Sequence, residues 1–180
     1  MPALEVFDHG ELICVSFEDL LKYHGRSSIA GAAHAFKVME RAFPLLAGGL
    51  PPERYEIKID SAFRGDGVRD GFEMVTRAVT GHRYRLAPEL APADAPPGPE
   101  GRFFFRFAYR GVVVDLTLRD GLVSDEFVRL VRRGADTPAE AERLVRFKRD
   151  MADRLLSLAA EEVYDASVSQ VDAGRSSARP

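Results

Sequence analysis

Apolar residues recur at helical spacing in several stretches of the chain. Phe17, Leu20, Leu21 and His24 fall at i, i+3, i+4 and i+7, which puts all four on one face of a helix. Ser16 with Asp19 three residues on forms a capping box with Asp in place of Glu, and Gly25 supplies a left-handed stop. Ile29, Ala32, Phe36, Met39 and Phe43 predict a second helix closed by Pro44. Its small residues, Ala30, Gly31, Ala32, Ala33 and Ala35, leave room for another backbone and suggest burial. Val68, Phe72, Val75 and Val79 mark a third helix that ends at Gly81, and Ser124 starts a short one that ends at Gly134. Thr137, Pro138 and Glu140 combine an N-cap, a first-turn proline and a capping acid. The helix they open is expected to reach about Ala160, with Leu144, Phe147, Met151, Leu155 and Leu158 along one stripe.

Period-two patterns mark the strands. Residues 55–60 alternate, and Tyr84–Leu86 is a further candidate. Residues 102–110 and 112–118 form two strand-like runs around Gly111, with Phe103, Phe105, Phe107 and Tyr109 sharing a face that needs a covering layer. Leu4–Phe7 and Leu12–Val15, separated by Asp8-His9-Gly10, read as a short hairpin or as one strand after a loose arm. Five prolines within 88–99 mark an exposed loop rather than a domain boundary. Residues 169–180 are small, polar and aperiodic, and are expected to be a disordered tail. Because the strands cluster late and antiparallel, the order favours an α+β fold with a mixed sheet packed by helices, in one domain over residues 1–168.

Composition narrows the class without naming a chemistry. The chain has 180 residues, 25 Lys+Arg against 28 Asp+Glu, a net charge of −3 and one Cys. That balance argues against a phosphate-tracking nucleic-acid binder. A single thiol excludes an internal disulfide and multi-cysteine zinc sites. With no apolar run near the ~20 residues of a membrane span and no basic leader, the expectation is a cytoplasmic protein with no membrane partner.

Candidate chemistry is sparse. His24, beside Gly25, Arg26, Ser27 and Ser28 at a helix end, is either a pocket ligand or base, or a packed histidine bonded within the fold. Gly65-Asp66-Gly67 before a helix offers backbone amides to an anion, or is a plain turn. Cys14, within Leu12-Ile13-Cys14-Val15, is expected to be a buried, inert thiol. Asp115 interrupts the apolar run 112–116 and faces solvent or lines a pocket. The histidines at 9, 24, 34 and 82 have no metal-ligand spacing, and no nucleophile, Walker or Rossmann motif is present.

The segments 17–25 (Phe-Glu-Asp-Leu-Leu-Lys-Tyr-His-Gly) and 30–37 (Ala-Gly-Ala-Ala-His-Ala-Phe-Lys) resemble the opening of the FmdE-like family, named for a component of formylmethanofuran dehydrogenase. That family reads aromatic-His-Gly-His-x-Cys-Pro-Gly, then a small-residue helix. Asp70-Gly71-Phe72 and residues 75–82 look like its Cys-x-x-Asp-Ala segment and Thr-Gly-Cys-Thr loop. Residues 118–134 and 146–164 look like its closing elements, so the likeness covers about 13–168. The resemblance implies an FmdE/GAPDH-domain-like α+β fold, a homodimer and a link to one-carbon metabolism.

The departures from the family concern its metal site. Arg26 stands at its second histidine, Ser28 or Ile29 at its cysteine, Gly67 before Asp70, and Ala78 in the loop. Arginine, glycine and alanine cannot replace thiolate or imidazole ligands, and a guanidinium favours carboxylate or phosphate. The resulting expectation is a small-ligand-binding or accessory protein with a degenerate metal site and neither metal nor cofactor. Its small anionic ligand would be held by His24, Gly25, Arg26, Ser27, Ser28, Asp70 and His82. The alternatives are an enzyme using His24 as acid/base with Asp70, and a metal site built from His24, His34 or His82.

Overall fold

The computed structural model describes residues 3–171. The chain opens with a hairpin, β1 (Ala3–Asp8) and β2 (Glu11–Ser16). Its two-residue turn is His9-Gly10, with φ of 52° and 85°, the left-handed pair that matches strand twist. Leu4 pairs with Val15 and faces the core, whereas Glu5 pairs with Cys14 and faces out. Cys14 is therefore exposed, contrary to the expectation of a buried thiol, because alternation puts it on the solvent face.

Helix α1 (Phe17–His24) starts on the expected capping box and stops at Gly25, φ 89°. Helix α2 (Ile29–Leu46) runs two residues past Pro44. It is buried on nearly every side, as its small residues suggest. A 3-10 turn occupies Arg54–Glu56, so the next strand, β3 (Lys58–Phe63), begins three residues later than its alternation suggests.

Helix α3 (Asp66–Thr76) stops at Arg77 in the left-handed region, φ 54°, rather than at Gly81. The buried carboxylate of Glu73 ends it by accepting from Val79 N at 2.7 Å and Thr80 N at 3.1 Å. The Arg83 guanidinium donates to the last carbonyls, Thr76 O and Arg77 O, at 3.0 Å each.

Strand β4 (Tyr84–Leu86) lies parallel to β3. The proline-rich segment is more ordered than an open loop. It holds a 3-10 turn at Pro88–Leu90 and the short strand β5 (Pro97–Gly98), and it buries Ala95 against Ala62 and Phe104. Strands β6 (Gly101–Tyr109) and β7 (Val112–Leu118) form the expected hairpin.

Helix α4 (Asp125–Arg133) is capped by Ser124 and ends at Gly134. Helix α5 (Pro138–Ser157) is capped by Thr137 and stops short of Ala160, where a separate turn, α6 (Ala160–Val163), begins. The final strand, β8 (Tyr164–Gln170), lies against β7. Ser169 and Gln170 thus belong to the sheet, paired with Val113 and Val112, rather than to a tail. Residues 172–180 of the expected tail lie outside the described residues.

The main sheet has the order β4-β3-β6-β7-β8 with β5 beside β6. The fold is α+β with a mixed sheet. The aromatic face of β6 meets the helices: Phe72 of α3 packs edge-on against Phe105 and Phe107 at 5.5 and 5.3 Å, and Phe43 of α2 against Phe107. On the outer face Asp115 accepts two hydrogen bonds from Arg106, at 2.6 and 2.7 Å. Asp115 is thus tied into a cross-strand pair. No helix among the described residues is long and apolar enough to cross a membrane.

Candidate functional site

Helices α2 and α3 cross closely because glycines, Gly31 of α2 and Gly67 and Gly71 of α3, stand at their contact. A Cβ on Gly67 would stand 2.8 Å from both Cβ and O of Ser28, and one on Gly71 would stand 2.6 Å from Cβ of Ala35. This close approach sets the positions of all the candidate groups.

On one side of the crossing, His24 at the end of α1 meets Asp70 of α3, with Nδ1 2.7 Å from Oδ2. The bond fixes Nδ1 as the protonated nitrogen. The imidazole is 11% exposed and its Nε2 is buried without a protein partner. Arg69 stands 3.7 Å from the other Asp70 oxygen.

The remaining expected ligands do not join this pair. Arg26 turns outward to Glu18 at 3.1 Å, its side chain 70% exposed. Gly25 serves as the helix stop, and Ser27 offers its carbonyl to Lys148 Nζ at 2.8 Å. His82 sits in the turn after α3 and lines a separate surface depression with Lys58, Asp60, Arg85 and Arg106. Among the described residues no three His, Cys, Asp or Glu side chains are placed to hold a metal, so His24, His34 and His82 form no common site.

On the other side of the crossing the N-termini of α2 and α3 open onto a cavity of about 180 Å³. Ser28 and Gly31 of α2 and Gly65, Asp66 and Gly67 of α3 line one wall. Neither helix receives a side-chain cap at its first residue, whereas Ser16, Ser124 and Thr137 cap α1, α4 and α5. In α3 the Val68 amide already donates to Gly65 O, but no side chain caps the amides of Asp66 and Gly67 or those at the start of α2, at ends that each carry roughly half a positive charge. Phe63, Phe103, Phe127 and Met151, all buried, form the apolar part. Lys148 and Glu100 add two further charged side chains to the lining.

At the inner part of the cavity lies His34, 2% exposed and stacked on Phe103 with ring centroids 4.5 Å apart. Its Nδ1 is 2.7 Å from the Tyr164 hydroxyl at the start of β8, and its Nε2 is buried without a protein partner. Burial drives the imidazole pKa down to about 3 and lifts that of the Tyr164 phenol, so both groups are neutral near pH 7.

His34, Lys148 and Tyr164 escape a pattern-based reading, which treats the first only as a possible metal ligand. One sequence signal for His34 exists: it is the single polar side chain in the run 30–36, within a helix otherwise made for burial. Nothing local marks Lys148 or Tyr164. The fold and site define an α+β domain with a partly enclosed cavity at a helix crossing. No family model and no curated protein matches the chain.

Proposed function

We propose that the chain is a small-ligand-binding protein whose cavity takes an organic monocarboxylate, on an FmdE-like accessory scaffold linked to one-carbon metabolism that has lost its metal site. The observation that carries this reading is the pair of uncapped N-termini, α2 and α3, facing one cavity beside Lys148. Backbone amides and a helix end favour a carboxylate, and a lysine adds a charge-assisted bond. Asp66 and Glu100 balance Lys148 and the two half-charges. The lining thus carries little net charge, which disfavours the double charge of phosphate or a dicarboxylate, and a monocarboxylate relies on directed bonds from Lys148 and the helix amides.

The lost-metal part rests on the family resemblance and has one geometric support. Ser28 and Gly67, which stand at or beside the family's cysteine positions, are in contact here, and the gap between them has no room even for a Cβ on residue 67. The anion-holding role moves from Arg26 to Lys148 and the helix ends.

A thermal-shift and ligand-observed NMR screen of monocarboxylates against their matched primary amides tests this reading. Binding of carboxylates but not amides is expected, weakened about tenfold in Lys148→Ala, as for a charge-assisted hydrogen bond, and unchanged in Arg26→Ala. Equal binding of acids and amides, or none at all, overturns it. Light scattering tests the accompanying homodimer, and a monomer at tens of micromolar removes it.

A second reading, acid–base catalysis by His24 with Asp70, is favoured by the 2.7 Å bond that leaves Nε2 free. That nitrogen is buried, and His24 is not part of the cavity lining. The geometry accordingly suits a tie between α1 and α3 better than a base in contact with substrate.

A further inference from the structure

The inner end of the cavity narrows the ligand class, an inference that rests on the carboxylate reading above. His34 Nε2 is a fully buried polar atom without a protein partner, on a ring that lines the cavity. Such an atom costs stability unless something bonds to it. Its surroundings otherwise are aromatic: Phe103 stacks on the imidazole, and Phe63 stacks on Phe103 at 4.4 Å.

A ligand that satisfies both ends must carry a carboxylate at the helix N-termini, an apolar body, and a hydrogen-bonding atom at its far tip. His34 lies six positions beyond Ser28, the residue that precedes α2, about 9 Å along the helix axis. That span suits one six-membered ring between two polar groups. An apolar cavity near 150 Å³ accepts benzene, so the roughly 180 Å³ here holds one aromatic ring, with the carboxylate at the mouth beside the helix ends.

We infer that the cavity takes a hydroxyaryl carboxylate, with its ring beside Phe103 and its hydroxyl on Nε2 of His34. A hydroxyl is the group best suited to the tip, because it both donates and accepts. If Tyr164 donates to Nδ1, Nε2 carries the proton and donates to the ligand. If Nδ1 donates to Tyr164, Nε2 accepts from it. In either tautomer a ligand lacking the hydroxyl leaves Nε2 unpaired, and this is how a polar site rejects an apolar isostere.

The test uses the full chain and three probes: 4-hydroxyphenylacetate, phenylacetate and 4-methylphenol, titrated by calorimetry or ligand-observed NMR. The first is expected to bind at least about tenfold more tightly than either of the others. The 15N resonance of His34 Nε2 should shift with 4-hydroxyphenylacetate and stay in place with phenylacetate, a readout that needs no variant. In His34→Phe the preference for the hydroxyl should vanish. Equal binding of 4-hydroxyphenylacetate and phenylacetate, or an unmoved Nε2 resonance, overturns the hydroxyaryl inference and leaves the carboxylate reading standing. Binding of 4-methylphenol as tight as that of 4-hydroxyphenylacetate overturns the carboxylate reading and leaves the His34 contact. Binding of none of the three overturns the inference.

Discussion

His24 and Asp70, 46 residues apart in sequence, are joined by a 2.7 Å hydrogen bond between Nδ1 and Oδ2. The bond closes α1 onto α3 at the crossing where Gly67 and Gly71 let α3 meet α2. A bond to a carboxylate at a mostly buried imidazole contributes about 1.5–3 kcal/mol. His24→Ala should therefore cost about 2 kcal/mol in urea denaturation, and Asp70→Asn, which keeps an acceptor oxygen, about half as much. If His24→Ala keeps wild-type stability, the tie between the two helices is not what the pair is for.

His34 should make stability depend on pH in a definite direction. Its folded-state pKa, about 3, lies below the ordinary 6.5 because burial disfavours the charged ring. Between those values the unfolded chain binds a proton that the folded chain refuses. Stability must then fall as pH drops from about 6.5 toward 3, by up to about 1.4 kcal/mol per pH unit from this residue. Urea midpoints from pH 4 to 7 should show a shallower slope in His34→Gln than in the wild type. Identical slopes would mean that the folded ring titrates normally.

Gly67→Ala should be destabilising, since the added Cβ would lie 2.8 Å from Ser28 backbone oxygen and Cβ. Forcing the helices apart by a methyl group costs about 1–3 kcal/mol. For a chain of this size that lowers Tm by roughly 2–12 °C, which calorimetry reads directly. Gly10→Ala is the informative control, because nothing lies within 4 Å of its Cβ position. It tests only the strain of a φ of 85°.

Cys14 should react with a thiol reagent in the native state, because it faces solvent opposite Glu5. Full stoichiometric labelling by an aromatic disulfide is expected without denaturant and with no change in Tm. Protection that disappears only on unfolding would place the residue inside, against the register of the hairpin.

Much of the fold was legible in short-range patterns. Ser16, Ser124 and Thr137 each cap the helix that their spacing announces, and Gly25 and Gly134 each end one. The Phe103–Tyr109 face is covered by α2 and α3, as an aromatic stripe requires. Other features were not legible because distant groups decide them. α3 ends at Thr76 rather than at a glycine because Glu73 and Arg83 take up the backbone groups beyond it. β8 carries only weak alternation in Tyr164–Gln170 and is a strand because β7 offers it an edge. Of the candidate site residues, His24 and Asp70 are hydrogen-bonded to each other, whereas Arg26 and His82 belong to other surfaces.

Taken alone, the sequence determined what acts over a few residues: hydrophobic period, caps, turns, and the small-residue helix able to accept a close neighbour. Tertiary structure decided which helix ends meet, and so where the cavity opens and which histidine borders it. The reason lies in range. A cap or a period is set by atoms within one or two turns, but the cavity forms where α3 lies on α2, and the histidine that borders it is held by Tyr164, 130 residues away in the chain.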